Sequence, residues 1–446
     1  MARRNSLRLA AGLVWPLLLG AQTAPDLKSI LERLDRLERQ NRELLEEVRA
    51  LRAAVGQVEP PAQPAAPPDV QDRLEIDERR IDELAQTKVE ASQRFPLRLT
   101  GMALFNAFLD SRQNGGTDYP TIASAPGRGR AGATVRQTVL GLDYRDPDAV
   151  WGGRVHGSVY MDFFTGSTVF TQTMRLRTAD IQVDWKSRSF MAGLEKPIFN
   201  PREPSSLAQV GISPLTGAGN LWLWLPQARF EQDIPLGQSM GVRARIGVVA
   251  THEVNAYPGS DQTANLEPTR PGLEGRFEFY RNLDDNRRIE IAPGFHASTT
   301  HVAGLAVPSN LVSLDWFYNP WTRLEFTGAF YSGQNVAHLG TGAIRQGFGL
   351  YGGDAEAVHS RGGWAQFTIH AARRLDFHLF SGQQDDRNRD LDPGGIGKNL
   401  MYGGNAYYRL APNVLLGIEA SQVRTAYIGR GVRLNNHYDL ALGYLF

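Results

Sequence analysis

The chain closes on "NNHYDLALGYLF", residues 435–446. Tyr438, Leu440, Leu442, Tyr444 and Phe446 are apolar or aromatic and two residues apart, with Asp439, Ala441, Gly443 and Leu445 between them. A period of two is the rhythm of a strand with one apolar face. A regular strand at a chain end normally offers a free edge to other chains. A closed barrel removes that edge, because its last strand pairs with its first.

The same rhythm runs backward from the terminus. In "GRVHGSVYMDFF" Val155, Val159, Met161 and Phe163 share a face with Gly157, and Arg154, His156, Ser158, Tyr160 and Asp162 share the other. In "GVRARIGVVA" Val242, Ala244, Ile246, Val248 and Ala250 alternate with Arg243, Arg245 and Gly247. In "WTRLEFTGAFY" Leu324, Phe326 and Phe330 alternate with Arg323, Glu325 and Thr327. Sixteen such segments begin near Leu97, Thr134, Arg154, Met174, Phe190, Leu221, Gly241, Leu273, Ile289, Leu311, Trp321, Gly363, Leu375, Leu400, Val414 and Leu434. Fourteen or eighteen strands also fit the pattern.

Short connections ("RDPDAVWG", "KSRS", "DIPLGQ", "LDDNR", "NP", "AR", "AP") alternate with mostly longer ones (110–132, 197–220, 252–270, 332–361, 381–398). A soluble sandwich has no reason to sort its turns by length. A transmembrane antiparallel β-barrel of the outer-membrane kind does: its turns face the periplasm and its loops face outside. The expected fold is therefore all-β, a barrel of about sixteen strands over residues 95–446. Tyr444 and Phe446 would sit at the height of the membrane interface, where aromatic rings anchor.

Residues 1–94 follow other rules. Arg3, Arg4 and Arg8 precede the apolar run Leu9–Gly20, and small residues follow it, the order of a secretory signal peptide over residues 1–24. Residues 25–58 carry five heptads: Leu27, Leu34, Asn41, Val48 and Val55 at a, Ile30, Leu37, Leu44, Leu51 and Val58 at d. That spacing predicts an α-helical coiled coil, with Asn41 fixing register. Leu31 and Leu45 at e widen the stripe and favour more than two strands. Residues 59–69, "EPPAQPAAPPD", form a stiff proline-rich linker. Residues 70–94, with Val70, Leu74, Ile81 and Leu84 on one face, read as a second helix or neck.

Composition narrows the function. The 446 residues have a net charge of +1, 46 glycines and no cysteine. No strong positive field points to nucleic acid, and thiol chemistry and thiolate metal sites are excluded. None of the motifs G-x-S-x-G, H-E-x-x-H or G-x-x-x-x-G-K-[ST] occurs in a strand–turn–helix context ("GQSMG", 237–241, falls at a short connection between two alternating segments), so no enzyme is expected and no cofactor is implied. The acidic stretch Asp385–Asp392 reads as a solvated loop rather than a calcium site, since the ligand spacing is missing.

If the valines face lipid, the inward set is Arg154, Asp162, Arg243 and Arg245, joined by Arg175 and Arg177 of "TMRLRTADIQVDW". Ala179, Ile181 and Val183 share the phase of those last two arginines, so that strand needs a bulge near Thr178 or Ala179. Beyond residue 91 the chain has 34 basic and 31 acidic residues, net +3, and only Lys186, Lys196 and Lys398 are lysines. Arginine's planar fork suits carboxylate and phosphate, and an arginine wall would favour anions unless inward carboxylates such as Asp162 neutralise it. The third long connection, "KPIFNPREPSSLAQVGISPLTGAGN", either folds into the barrel, placing Arg202 and Glu203 at a constriction, or stands on the outer surface.

The motifs "AQTKVEASQRFPLRLTGMALFNAFLD", "TVRQTVLGLDYRDPD", "GSVYMDFF", "LRTADIQVDW" and the terminal "DLALGYLF" resemble the bacterial outer-membrane porins of the DcaP-like kind over nearly the whole chain. The resemblance implies a sixteen-stranded barrel, a homotrimer, a coil in the periplasm and passive uptake of small, often anionic solutes. It also implies an outer-membrane lipid and lipopolysaccharide setting, reach toward peptidoglycan, and recognition of Phe446 by the barrel-assembly machinery. Phosphate-selective porins are neighbours, but they use lysine-rich sites that this chain lacks. Two rivals stand beside the porin: a structural tether anchored by the barrel, and an outer-membrane barrel enzyme.

Overall fold

The computed structural model describes residues 97–446 apart from 125–126, 166–172, 256–264, 269, 341–343 and 352. The signal peptide, coiled coil, linker and neck read from residues 1–94 lie outside the described residues.

The strands are β1 (Leu97–Asp110), β2 (Arg130–Thr134), β3 (Val139–Val150), β4 (Gly153–Thr165), β5 (Thr173–Asp184), β6 (Arg188–Glu195), β7 (Leu225–Pro235), β8 (Met240–Ala250), β9 (Pro271–Asn282) and β10 (Arg288–Val302). They continue as β11 (Leu305–Trp321), β12 (Leu324–Gln334), β13 (Phe348–Tyr351), β14 (Asp354–Ala357), β15 (His359–Ala372), β16 (Leu375–Asp386), β17 (Ile396–Ala411), β18 (Val414–Tyr427) and β19 (Gly431–Leu445). β1 pairs with β3 up to Met102 and with β2 from Asn106 onward, so β2 and β3 are two halves of one wall strand. β13 and β14 form a separate hairpin between β12 and β15. All other neighbours pair antiparallel, and β19 returns to β1 from Met102↔Leu445 to Asp110↔His437. The wall is a closed cylinder of sixteen strands.

The C-terminal residue seals that last pairing. Gly101 N donates to Phe446 O (3.0 Å), and Phe446 N donates to Gly101 O (3.2 Å). Gly101 is required by close approach: a Cβ there would lie 2.3 Å from Val139 O and 2.9 Å from the Phe446 ring. Tyr444 stacks beside Phe446 at 6.4 Å between centroids.

Burial is inverted relative to a water-soluble domain. On β19 Tyr438, Leu440, Leu442 and Tyr444 are exposed, while Asn435, His437 and Asp439 are buried. On β16 Phe377 and Leu379 are exposed, and His378, Gln384 and Asp386 are buried. Apolar side chains outside and polar ones inside are the arrangement of a barrel whose solvent is hydrocarbon.

Turns on one end are short: 151–152, 185–187, 236–239, 283–287, 322–323, 373–374 and 412–413. The connections at the other end are mostly longer, 111–129, 196–224, 251–270, 335–358 and 387–395 among them, with two exceptions, 303–304 and 428–430, of two and three residues. Ala303 and Gly304 both have positive φ (51° and 79°), the two-residue turn whose twist matches a hairpin.

Sequence periodicity places strand starts well where turns are tight; Leu375 and Val414 begin β16 and β18. It fails at "NLWLW": β7 begins at Leu225, not Leu221. Leu221 and Trp222 are buried residues of the third loop, apolar because they pack inside the cylinder rather than face lipid. The "RDPD" taken as part of a turn belongs to β3, and the turn is Trp151-Gly152 alone.

Candidate functional site

Residues 196–224 connect β6 to β7 and run inside the cylinder. Backbone groups away from bulk water need partners, and inward side chains from around the wall supply them. Glu274 on β9 accepts from Ile198 N (2.7 Å). Gln366 on β15 accepts from Ser205 N (2.7 Å). Asn405 on β17 donates to Ser205 O (2.9 Å), Asn106 on β1 to Leu207 O (2.9 Å), and Asn399 on β17 to Gly217 O (2.8 Å). Ser206 Oγ donates to Glu419 on β18 (2.6 Å). Glu274 is itself held by His296 Nδ1 (2.9 Å).

Three apolar clusters press the same loop to the wall, one of them Leu207 with Leu104 and Ala441. Ile198, Phe199 and Leu221 pack with Val249, Leu311 and Tyr331; Leu215 and Ala218 pack with Trp364, Phe380 and Met401. At Gly219 (φ +94°) the contact is backbone to backbone, and a Cβ would lie 2.4 Å from both N and O of Gly363. Gly219→Val is therefore expected to push the loop off β15, at a cost of about 1–3 kcal/mol from overpacking. Urea unfolding of the folded barrel measures it, and an unchanged midpoint would contradict this packing.

Two wall irregularities aim side chains at the loop. Between β2 and β3 the wall strand breaks at residues 135–138, where Thr138 Oγ1 accepts from Leu104 N (3.1 Å). The break turns Gln137 inward. Its amide donates to Asn106 Oδ1 (3.0 Å) and Ala208 O (2.9 Å) and accepts from Val210 N (2.8 Å) and Gly211 N (2.7 Å). On β5 the register slips opposite Tyr160 and Met161, whose partners are Thr178 and Leu176, leaving Arg177 extra. That bulge, one residue from where periodicity demands it, lets Arg175 and Arg177 point inward while Ile181 remains on the apolar outer face.

Asp162 is fully buried and holds both arginines. Arg175 grips it through Nε (3.1 Å) and Nη2 (2.6 Å), and Arg177 through Nη1 (2.8 Å). Both guanidinium groups also bind the loop, Arg175 at Gly211 O and Arg177 at Val210 O (2.7 Å). Both lie over the ring of Trp224, at 5.2 and 4.9 Å from its centroid. A charge-assisted pair of this kind is rigid and leaves one net positive charge.

A second, longer ladder crosses β7 to β11. Arg245 meets Glu231, which also approaches Arg243 (3.5 Å). Arg243 meets Glu278 (2.5 Å), and Glu278 meets Arg276 (2.7 Å). Arg276, 1% exposed, grips Asp315 through Nε (2.7 Å) and Nη2 (2.8 Å). Arg202 reaches Asp315 from the loop (2.6 Å) and meets Glu290, which Arg288 also binds (2.6 Å). Glu203 turns the other way, to Lys196 (3.0 Å) and Ser213 Oγ (3.2 Å).

The six wall residues expected from sequence thus separate into three places. Asp162, Arg175 and Arg177 form one cluster, and Arg243 and Arg245 belong to the ladder. Arg154 stands apart, exposed at the turn end of β4 opposite Asp184. Gln137, Trp224, Arg276, Glu278 and Asp315 carry the same network and escaped the sequence reading. Arg276 and Glu278 were discoverable from "GRFEFY", where they alternate with Phe277 and Phe279. The acidic stretch is divided by the pleat: Asp385 meets Arg361, while buried Asp386 accepts from Gln346. Beyond the wall, in the loop after β12, burial lowers the pKa of His338 to about 4, with His296 adding to the effect and Glu253 opposing it.

No family model matches the sequence, and no curated protein matches it. Solved structures do match in shape. The outer-membrane channel DcaP of Acinetobacter baumannii is 16% identical, with 78% of this chain and 97% of that chain covered and a TM-score of 0.66. The anion-selective porin of Comamonas acidovorans is 12% identical over 78% of this chain and 99% of that one, with a TM-score of 0.54. At such identities the likeness establishes the fold: the described chain has the barrel architecture of outer-membrane channels.

Proposed function

We propose that this protein is an outer-membrane porin through which small hydrophilic solutes diffuse passively. One observation carries the reading: a closed wall, apolar outside and charged inside, with a loop lying across its lumen. A wall of that polarity is stable only with hydrocarbon around it and water within. The loop of residues 196–224 narrows the path, and Arg202 and Glu203 sit on it at the constriction. Its route explains why the loop is bonded to so many strands: a free loop would flutter and gate the current.

Ion preference follows from the pairing of the charges. In the ladder, Arg202, Arg243, Arg245, Arg276 and Arg288 face Glu231, Glu278, Glu290 and Asp315, five against four. The Asp162 cluster adds two against one. Small carboxylates and other anions are accordingly favoured, by a modest margin. In planar bilayers the purified protein is expected to give steady conductance steps. Under a potassium chloride gradient the reversal potential is expected to show chloride preferred by less than about tenfold. Cation preference would overturn the anionic part of the reading. A silent, membrane-inserted barrel would leave the structural tether as the function. The homotrimer belongs to the same proposal and rests on the heptads of residues 25–58; cross-linking before and after removal of those residues tests it.

A further inference from the structure

Charged side chains on the outward face of a barrel are costly at mid-membrane and tolerated near the interfaces. Around the loop end of this wall most outward positions are uncharged: Leu109 on β1, Ala131 on β2, Phe163 on β4, Met174 on β5, Pro226 on β7, Ala250 on β8, and Ala306, Pro308 and Asn310 on β11. One sector differs. Arg361 on β15, Asp385 on β16, Lys398 on β17 and Arg424 on β18 lie in the outward phase of Phe367, Leu379, Tyr402 and Ile418, which are all exposed apolar residues.

Strand register gathers these four. Arg361 is opposite Asp385, Asp385 opposite Lys398, and Arg424 opposite Leu400, two residues along from Lys398. Asp385 is shared by Arg361 (3.1 Å) and Lys398 (3.6 Å), whose side chains are still 70% and 49% exposed. Three cations against one carboxylate leave two charges unmatched. Below them runs a hydrogen-bonded polar row, Tyr402 to Gln422 (2.6 Å) and Gln422 to Asn436 (2.8 Å). Below that the face is apolar, with Ile418, Leu440 and Leu442 exposed. From the loop end inward the sector reads cation, amide and hydroxyl, hydrocarbon.

We propose that this sector, over β15–β18, is a binding site for the phosphate of an outer-leaflet lipid headgroup. The inference rests on the porin reading, because it needs the outward face to lie in a bilayer. Arg361, Lys398 and Arg424 bind the phosphate oxygens, arginine by its fork and lysine as a point charge. The amide row meets the polar sugar or glycerol part, and the apolar face meets the acyl chains. A lipid is the occupant rather than free phosphate because the three layers match its three parts. Asp385 holds Arg361 and Lys398 upright and tempers their charge.

The test is native mass spectrometry of the full chain in detergent, with diphosphorylated lipid A, dephosphorylated lipid A and inorganic phosphate as probes. Diphosphorylated lipid A is expected to be retained, and its dephosphorylated form at least tenfold less. The triple variant Arg361→Gln, Lys398→Gln, Arg424→Gln is expected to lose at least tenfold in lipid A retention, since each basic residue near a charged membrane surface contributes. Asp385→Asn is expected to retain it more tightly. Equal retention of both lipid A forms, or an unaffected triple variant, would overturn the site. So would displacement of the lipid by millimolar phosphate, or loss of oligomers in the triple variant, which would make the sector a contact between copies. Bilayer conductance of the same variant is expected to be unchanged, because the residues face away from the lumen. It therefore separates a failed lipid site from a failed porin reading.

Discussion

Asp315→Ala is expected to destabilise the barrel by about 3–5 kcal/mol, the cost of removing one partner from a buried ion pair. Asp315 is fully buried and accepts from Arg276 and from Arg202. Arg276 is equally enclosed and retains only Glu278 when the aspartate is gone. Desolvation of its charge is then no longer offset. The second arginine makes the loss functional, because Arg202 ties the start of the third loop to β11. Asp315→Ala is expected to lower the urea midpoint of barrel unfolding and to turn steady current into flickering current. A double variant, Arg276→Met with Asp315→Leu, is the control: two matched apolar side chains leave no orphaned charge, so it should lose far less stability than Asp315→Ala alone. It should still flicker, since Arg202 has lost its tie to β11 and keeps only Glu290 and the more distant Glu278 (3.7 Å). If Asp315→Ala unfolds like the wild type, the ladder is solvated and the account of a dry, paired wall fails.

The legibility of these features in the sequence varied with the physics behind each. Outward residues are constrained by a single property, apolarity, repeated every second position. The rhythm of "HYDLALGYLF" therefore reads without knowledge of any partner. The bulge at Arg177 was also legible, because Ile181 and Val183 would otherwise have faced the lumen. The break at Gln137 left a comparable trace that periodicity could have caught: Ala131, Ala133 and Val135 are odd-numbered, while Leu140, Leu142 and Tyr144 are even. Inward residues obey no such rule. Arg276 finds Asp315 across β10, 39 positions along the chain, and Arg202 finds it from 113 positions away. Such pairs depend on register and on the route of one loop, which periodicity does not encode. Leu221 and Trp222 misled for the same reason, since burial inside the lumen and exposure to lipid both select apolar residues.

Ion preference should move in opposite directions when the two halves of the Asp162 cluster are removed. Asp162 faces Arg175 and Arg177, a net charge of +1. Asp162→Ala raises this to +2, and the double change Arg175→Gln with Arg177→Gln lowers it to −1. A unit charge about 8 Å from a passing ion contributes about 0.5–2 kcal/mol for an effective dielectric between about 80 and 20. One added charge is thus expected to raise the chloride-to-potassium permeability ratio by about two- to thirtyfold, and two removed charges to reverse the preference. Salt should weaken both effects, because the Debye length falls from about 10 Å at 0.1 M to about 3 Å at 1 M. The loop responds too: Val210 O and Gly211 O are held by these guanidinium groups, so the double variant should also show a larger, noisier conductance. Gln137 still holds Val210 N and Gly211 N, which keeps the loop inside the cylinder and the comparison interpretable. Reversal potentials at two salt concentrations measure all of this. Were both variants to keep the wild-type ratio, ions would pass elsewhere in the lumen, and Asp162 with its arginines would serve only to fasten the loop.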